Sequence, residues 1–495
     1  MEPIYYSSTR SHDEKQPFSQ AVLAGIAKDG GLFVPSRFPK VDLESPEWLS
    51  MDYQATAQKI LSLFLDDFTP EELSACVTKA YDHKFSSPQI TPITTLGAHS
   101  FLELFHGPTS AFKDMALSIL PHFLKTSIRK LGVEDEIVIL TATSGDTGKA
   151  ALEGFADVQG VRIIVFYPTD GVSDIQKLQM TTQSGDNVAV FGIEGNFDDA
   201  QRGVKQIFLD KALGSELKEM GYAFSSANSI NIGRLIPQVV YYVAAYFNLV
   251  KSNKISMGDP INIAVPTGNF GNILAAYYAK LMGMPFAKFI CASNVNNVLT
   301  DFIKTGVYDT HRDFFASNTP SMDILVSSNL ERFLYLLSGE DTAIVRSLMN
   351  TLQLEGRYEI TPVMKHRMQD FYGGYATESE TLSTISKAYD DAHYVLDPHT
   401  AVAYKVALDY TEKTGDTTHT LIAATASPFK FSDSVAKALS IPETGDAFEQ
   451  MALLAQTTDT VVPTALNALK HMPVKHGETI KCDHMLDAVR STLKK

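Results

Sequence analysis

From Glu136 onward, short runs of β-branched and aromatic residues alternate with longer stretches whose apolar positions recur at helical spacing. The predicted strands cover residues 136–141, 161–167, 187–193, 222–226, 262–265 and 286–292. The predicted helices between them lie near residues 149–156, 172–182, 197–213, 234–249 and 271–282. Strands separated by helix-length segments indicate βαβ units, and therefore an α/β fold with parallel sheets covered on both faces.

The segments outside this alternation predict further domains. Residues 1–90 carry a loop at 29–35 and a helical pattern at 53–68, and they end at a proline-containing break, which indicates a small N-terminal domain. The catalytic α/β region is predicted over 91–308 and 391–435, with a smaller domain of about residues 130–225 inserted in it. Residues 309–390 read as a mainly helical insertion that contains stretches such as 329–337 and 340–352, and residues 436–495 read as a C-terminal extension.

Charge and composition narrow the class of protein. The net charge of the 495 residues is −15, which disfavours nucleic acid or an anionic membrane as a partner. The longest apolar stretch, residues 239–250, is too short to span a bilayer, and residues 1–17 contain no apolar signal core. The three cysteines, Cys76, Cys291 and Cys482, match no zinc spacing, so no metal is expected. We therefore expect a cytoplasmic enzyme with a small-molecule substrate, either monomeric or homodimeric.

A lysine follows the turn at Gly107 and Pro108. Lys113 lies where an amphipathic helix is predicted to begin, in the segment 104–114. The positive end of a helix and partial burial both favour a neutral amine, which Schiff-base chemistry requires. An ordinary solvated lysine after a turn would give the same local pattern.

Two glycine-containing turns lead from predicted strands into predicted helices. The first spans Thr143 to Lys149 and the second spans Pro266 to Asn272. Such turns can present backbone N–H groups to a carboxylate or phosphate. The first is not a P-loop, because its glycines are too close and Ala150 follows the lysine, and the second lacks dinucleotide-binding spacing. Each could also be a purely structural turn.

Three further segments carry polar chemistry. Residues 224–234 hold several hydroxyl and amide side chains followed by Arg234, whose planar guanidinium suits a phosphate. Residues 423–428 place Thr425 and Ser427 at the end of a predicted strand. His399, in the segment 397–400, could suggest acid–base or metal chemistry, but no second histidine stands at ligand spacing.

Together and in this order, these segments resemble the threonine synthase family. The resemblance runs from about residue 5 to 435 and is closest to the long microbial branch. The segments that carry it are 8–10, 18–22, 29–35, 105–114, 143–148, 268–272, 397–400 and 425–428.

The resemblance implies a pyridoxal-phosphate enzyme of fold type II, with two doubly wound α/β domains, a small N-terminal domain and helical C-terminal additions. Lys113 would carry the cofactor aldehyde as a Schiff base, and Thr425 would face the pyridine nitrogen. Asp146 would lie beside the cofactor 3′-hydroxyl, where many relatives have asparagine and where a carboxylate would repel a phenolate unless protonated or otherwise hydrogen-bonded. The residues expected around the cofactor phosphate are Gly268, Asn269, Phe270, Gly271 and Asn272.

The same resemblance implies the reaction of O-phosphohomoserine with water to give threonine and phosphate. The residues expected to bind the substrate are Thr143, Ser144, Gly145, Thr147, Lys149, Ser226, Asn228, Ser229, Asn231 and Arg234. No catalytic role is assigned to Ser427, because relatives often have histidine there. The alternatives are a serine/threonine dehydratase, a sulfhydrylase, a phospho-lyase-like relative and a catalytically silent homologue that binds phosphorylated metabolites. Dehydratases and sulfhydrylases share the phosphate loop but not the N-terminal segments or the 105–114 string. The intact Lys113, Thr425 and 268–272 loop argue against a silent homologue.

Overall fold

The computed structural model describes residues 3–143, 145–169 and 172–494 of the chain. Strands and helices alternate along most of this length. The strands are β1 (Tyr6–Ser8), β2 (Phe33–Pro35), β3 (Ile93–Leu96), β4 (His99–Glu103), β5 (Glu136–Ala142), β6 (Val161–Pro168), β7 (Val188–Glu194), β8 (Tyr222–Ser225), β9 (Ile261–Pro266), β10 (Phe286–Ser293), β11 (Val307–Asp309), β12 (Arg357–Glu359), β13 (Phe371–Tyr375), β14 (Thr420–Ala424) and β15 (Thr479–Lys481).

The helices cover the sheets and form most of the C-terminal part. They are α1 (Phe18–Ala24), α2 (Tyr53–Ser62), α3 (Pro70–Ala80), α4 (Asp114–Leu117), α5 (Leu120–Leu131), α6 (Asp146–Phe155), α7 (Asp174–Thr181), α8 (Phe197–Leu209), α9 (Lys211–Glu219), α10 (Ile232–Lys251), α11 (Gly271–Leu281), α12 (Val298–Thr305), α13 (Leu330–Ser338), α14 (Thr342–Glu355), α15 (Pro362–Arg367), α16 (Glu378–Ala392), α17 (Pro398–Thr414), α18 (Ser432–Ala438), α19 (Ala447–Thr458), α20 (Thr464–Ala468) and α21 (Met485–Leu493). Short 3-10 helices lie at Pro46–Leu49, Pro320–Met322, Pro428–Phe431, Leu469–His471 and Cys482–His484.

Two parallel-rich sheets organise the fold. The larger has the strand order β13-β10-β9-β14-β4-β3, in which only the β3–β4 pairing is antiparallel. The smaller has the order β15-β7-β6-β5-β8, with every pairing parallel. Small antiparallel ribbons are formed by β1 with β2 and by β11 with β12. The predicted α/β class with parallel-rich sheets is confirmed.

The central helix α10 explains how the sheets and the N-terminal segment are held together. Most of its residues are buried, and it packs against α2, α4 and α11. Stacked and edge-on aromatic pairs line this core, including Trp48 on Phe247 with ring centroids 4.9 Å apart. Such burial is the dominant favourable term in folding, and it fixes the helix whose first turn carries Arg234.

Some predicted elements differ from the structure. The helix predicted over 197–213 is interrupted at Asp210, whose backbone is extended and whose side chain accepts hydrogen bonds from Ala212 N and Leu213 N to begin α9. Strands β3, β4 and β13 were not predicted. In β13, Gly373 and Gly374 obscure the strand pattern, but a Cβ on either would come within 3.0 Å of α12 or α17, so close helix packing requires glycine.

Within the described ranges, no helix combines the length and apolar character needed to cross a membrane.

Candidate functional site

The site lies where loops from the two sheets meet. Lys113 follows β4 of the larger sheet, and Asp146 begins the helix after β5 of the smaller sheet. The Lys113 Nζ atom is 3.9 Å from Asp146 Oδ2. The carboxyl ends of parallel strands are where open α/β sheets bind ligands, so this junction is the place expected for chemistry.

The loop before Lys113 is held in a fixed shape. The buried Asp114 carboxylate accepts hydrogen bonds from Thr109 N at 2.8 Å and Thr109 Oγ1 at 2.6 Å. A Cβ at position 107 would lie 2.5 Å from the Asp114 side chain, which accounts for glycine there. Phe112 N donates to Thr425 O at 2.8 Å. These contacts place Lys113 directly before α4, as predicted.

The Lys113 amine is mostly buried, and its pKa is lowered toward neutral pH. Burial lowers its pKa to about 8, and the positive charges of Lys430 and Arg234 act in the same direction against the opposing charges of Asp146 and Asp114. Its Nζ donates to Ser321 Oγ at 3.3 Å. The geometry therefore gives Lys113 a larger neutral fraction near neutral pH than an ordinary lysine has.

The turn after β5 is built around the Thr143 hydroxyl. Thr143 Oγ1 accepts hydrogen bonds from Gly145 N at 3.0 Å and Gly148 N at 2.8 Å. Gly145 has φ 138°, and a Cβ there would lie 2.6 Å from Gln176. Thr147 is half-buried, and Ser144 lies outside the described residues. The turn thus delivers Asp146 to the junction through a strained conformation that favours glycine.

Asp146 is surrounded by donors. Lys430 Nζ lies 2.6 Å and Gln176 Nε2 lies 2.9 Å from Asp146 Oδ1, while Ser321 Oγ donates to Oδ2 at 3.3 Å. Burial alone would raise the pKa of Asp146, but the charges of Lys430 and Lys113 and the hydrogen bonds lower it below its usual range. Asp146 is therefore a charged carboxylate whose negative charge is balanced inside the protein.

The glycine-containing turn after β9 presents backbone groups at the start of α11. Phe270 adopts the left-handed conformation with φ 63°, which re-aims the chain just before the helix. A Cβ at Gly268 would lie 2.7 Å from Ser321 O, so only glycine fits against that backbone. Ser327 Oγ donates to Gly268 O at 2.8 Å, and Asn329 N donates to Asn269 O at 3.0 Å. The carbonyl oxygens of Gly268 and Asn269 thus accept hydrogen bonds from residues outside the turn, as in a turn whose N–H groups bind an anion.

Asn272, in the first turn of α11, supplies a side-chain donor at the 268–272 turn. Its Oδ1 accepts from Tyr242 OH and lies 2.9 Å from Tyr241 OH. With the oxygen fixed by two phenols, the amide nitrogen is the remaining polar atom. Asn272 Nδ2 is buried and has no hydrogen-bond partner within the described ranges. An orphaned buried donor beside a helix N-terminus fits a bound phosphate.

The segment 397–400 supports the site from a third side. Asp397 caps α17, and its Oδ1 lies 2.9 Å from His399 Nδ1. His399 Nε2 accepts from Ser321 N at 3.3 Å. Thr400 Oγ1 accepts from Thr425 N at 3.2 Å, and Thr425 is buried at the end of β14. His399, which the sequence suggested only as a possible acid–base or metal residue, thus contacts the backbone of Ser321, the residue that contacts Lys113.

Arg234 is the predicted clamp residue with an unused donor. Its guanidinium is buried, and burial lowers its pKa to about 10. One terminal nitrogen donates to Ala227 O at 2.7 Å, while Nε has no hydrogen-bond partner in the part of the chain that the structure describes. A buried cation with a free donor near Lys113 is suited to an anionic ligand.

The other predicted clamp residues have partners of their own. Asn231 donates from Nδ2 to Val22 O and Ser226 O and accepts from Gly233 N, so its amide caps α10. Asn228 N donates to Ser226 Oγ at 3.1 Å, and Ser229 Oγ lies 3.2 Å from Ser328 Oγ. Lys149 contacts Glu153 and Gln183. These bonds favour a supporting role for Asn231 and Lys149, and their contact with substrate stays a prediction.

Three residues of the junction were missed by sequence reasoning, namely Gln176, Ser321 and Lys430, whereas His399 was named in the sequence but was not placed at the site. Lys430 had a visible signal, because a lysine within Pro428–Phe431 stands in an otherwise apolar run and needs a buried partner. Ser321 and Gln176 had no such signal in the sequence, because they come from distant parts of the chain and contact Asp146 only in the folded protein.

The chain is similar to known proteins over nearly its whole length. Residues 5–81 match the family described as Threonine synthase N terminus, residues 91–426 match Pyridoxal-phosphate dependent enzyme, and residues 400–476 match Threonine synthase, C-terminal. The human protein Threonine synthase-like 1 is 42% identical over 90% of this chain. This chain spans 61% of that relative's own length.

Two further relatives carry the threonine synthase name. Threonine synthase of Schizosaccharomyces pombe is 37% identical over 88% of this chain and 90% of its own. The crystal structure of threonine synthase from Brucella melitensis, described as bound to pyridoxal phosphate, superposes with a TM-score of 0.88 at 34% identity over 99% of this chain and 100% of its own. These similarities also confirm the predicted fold type II architecture. The chain belongs to the threonine synthase family of pyridoxal-phosphate-dependent enzymes.

Proposed function

We propose that this protein is a threonine synthase, which converts O-phospho-L-homoserine and water into L-threonine and phosphate. The proposal is supported by the family match over both the N-terminal and the catalytic segments. It is a narrower statement than family membership, because relatives of high identity are named Threonine synthase-like 1. A cytoplasmic location, predicted from the sequence, is part of the same proposal.

The junction fits the family's cofactor. Lys113 offers a buried amine with a pKa lowered to about 8 by burial, Asn272 offers an orphaned donor, and Gly268 leaves room for close backbone approach. Lys113 would hold the aldehyde, Asn272 and the N–H groups of the 268–272 turn would hold the phosphate, and Thr425 would face the ring nitrogen. When bound, pyridoxal phosphate supplies a ring that withdraws electrons from the substrate carbons as C–H bonds break.

Lys113 is the proposed acid–base group. In its neutral form the amine can take a proton from Cα of the substrate and then one from Cβ. It can return a proton at Cγ and, after water has added at Cβ, a proton at Cα. Phosphate leaves from Cγ and water adds at Cβ, so that one water is consumed for each phosphate released. Ser321, which hydrogen-bonds the amine at 3.3 Å, orients it for these transfers.

The buried guanidinium of Arg234 is the observation that favours a phosphorylated substrate. A phosphorylated substrate needs a cationic donor besides those that hold the cofactor, because its phosphate gains charge on leaving. Arg234 is buried, its Nε is unpartnered among the described residues, and its charge acts on Lys113. Ser226, Asn228 and Ser229 lie in the loop that leads to it, and we propose that they complete the clamp.

The test is to supply O-phosphohomoserine and measure both phosphate and amino-acid products. We expect phosphate and threonine in equal amounts from the wild type, none from K113A, and unchanged rates from K125A, which removes an exposed lysine of α5. Phosphate with 2-oxobutyrate in place of threonine would identify an eliminating phospho-lyase. No turnover by a protein that retains its yellow cofactor would refute the substrate.

A further inference from the structure

A second lysine is buried in the junction. The Lys430 side chain is 0% exposed, and its Nζ lies 2.6 Å from Asp146 Oδ1 and 3.0 Å from Thr109 O. Removing an ammonium group from water is costly unless a charged partner compensates for the loss of hydration. Asp146 is that partner, so Lys430 and Asp146 form a buried ion pair.

The two oxygens of Asp146 have different neighbours. Oδ1 accepts from Lys430 and Gln176, whereas Oδ2 accepts from Ser321 and faces Lys113 at 3.9 Å. The carboxylate therefore stands between two lysines, of which only Lys430 is in direct hydrogen-bonding contact. The Lys430 charge opposes that of Asp146, which partly offsets the effect of the carboxylate on Lys113.

The position of Lys430 affects the protonation state of Lys113. An isolated carboxylate beside Lys113 would favour the ammonium form of that lysine, which can neither attack an aldehyde nor accept a proton. The charged groups around the Lys113 amine are Asp114 directly after it, Asp146 on α6, Arg234 on α10 and Lys430 beyond Asp146. Of the two cations, Lys430 is the one bound to the carboxylate nearest the amine.

We propose that Lys430 is a positioning residue whose ammonium group offsets the charge of Asp146, which increases the neutral fraction of the Lys113 amine beside that carboxylate. The proposal rests on the proposed function only in that Lys113 holds the cofactor. It predicts that the charged pair can be replaced by a neutral pair, since an asparagine at position 146 needs no cation beside it.

The experiment measures how fast full-length protein, freed of cofactor by hydroxylamine and dialysis, captures added pyridoxal phosphate at pH 6 to 10. Borohydride reduction and peptide mass spectrometry confirm that Lys113 is the captured residue. The variants are K430M, D146N, the double variant D146N/K430M, and K437M, which removes an exposed lysine seven residues away. Far-UV circular dichroism and cooperative urea unfolding establish that each protein is folded.

In K430M we expect the midpoint of the pH profile to rise by at least ~1 pH unit, because an opposite charge at this distance favours the ammonium form by that amount or more. D146N alone should lower the midpoint below the wild-type value, since Lys430 then acts unopposed. The double variant should return to within about 0.5 pH unit of the wild type, and K437M should not differ from it.

Two results would overturn the proposal. An unchanged profile in folded K430M would show that Lys430 does not set the charge of the junction. A raised midpoint that the double variant fails to restore would show that Lys430 acts on something other than Asp146. If K430M does not fold, the comparison of D146N with the double variant decides, because a midpoint in the double variant that is not above that of D146N would show that the Lys430 charge does not act on Lys113. Because capture does not depend on substrate, a wild type that captures cofactor at Lys113 but forms no threonine would refute the proposed function alone.

Discussion

Arg10 and Glu331 form a bidentate ion pair, in which Arg10 Nε donates to Glu331 Oε1 and Arg10 Nη2 donates to Glu331 Oε2, both at 2.8 Å. Thr9 Oγ1 donates to the same carboxylate at 2.6 Å. The pair attaches the N-terminal segment to α13, whose cap residue Asn329 donates from Nδ2 to Asn269 O in the 268–272 turn. The N-terminal segment 8–10 is thereby connected to this turn, although it contributes no side chain to the junction.

Replacing Glu331 by glutamine should therefore destabilise the fold. The Glu331 side chain is 7% exposed and Arg10 is 24% exposed, so the substitution leaves a partly buried cation without its counter-charge. We expect a loss of about 2 kcal/mol in the free energy of unfolding, measured by urea denaturation of the cofactor-free protein. The matched control is E14Q, which breaks the well-exposed pair of Glu14 with Lys28 and should change stability by less than about 0.5 kcal/mol. Equal losses in both variants would contradict the assigned importance of Arg10 and Glu331.

Alanine at Gly268 should weaken cofactor binding. The added Cβ would lie 2.7 Å from Ser321 O, and because that atom is backbone, the 320–322 segment or the 268–272 turn has to move. An overpacked contact of this kind costs about 1–3 kcal/mol, so affinity for pyridoxal phosphate should fall about 5- to 140-fold in an absorbance titration. G214A is the control, because a Cβ there meets nothing within 4 Å on the exposed face of α9. It should leave affinity unchanged and stabilise the helix by up to about 1 kcal/mol. Wild-type affinity in G268A would mean that the turn does not lie against Ser321 as described.

Local sequence patterns predicted the two glycine-containing turns and the position of Lys113. The other residues of the site are brought together by contacts between distant parts of the chain. The β-rich runs before 143 and 266 and the glycines after them were sufficient to place the two turns, because strand, turn and helix are consecutive in the chain. Lys113 followed from its turn in the same way. Gln176, Ser321 and Lys430 are brought to Asp146 by tertiary packing, to which no spacing along the sequence corresponds. The ambiguity about Asp146 arose for this reason, since the cation that balances it is 284 positions away (430 − 146).

The capture of pyridoxal phosphate should depend on pH through Lys113. Burial lowers the pKa of this amine to about 8, and only the neutral form attacks an aldehyde, so the capture rate should rise between pH 6 and 9 with a midpoint of about 8. The ordinary value for lysine is about 10.4, at which little of the rise would occur in this range. Stopped-flow absorbance of the wild type gives the profile, and K113R provides the background rate. A midpoint near the ordinary lysine value would show that the amine is solvated in the cofactor-free protein.

Substituting aspartate for Asn272 should abolish recognition of the cofactor's phosphate while preserving the fold. Aspartate has nearly the same shape, and one carboxylate oxygen can still accept from Tyr241 and Tyr242. The other oxygen replaces the buried, unpartnered Nδ2 and opposes a dianionic phosphate with like charge, which costs several kcal/mol. The dissociation constant for pyridoxal phosphate should rise at least about 100-fold, whereas that for pyridoxal, which lacks the phosphate, should change by less than about threefold. N350D, on the exposed side of α14, controls for added negative charge. If N272D weakens pyridoxal and pyridoxal phosphate equally, Asn272 does not contact the phosphate, because only a phosphate contact makes the two ligands differ.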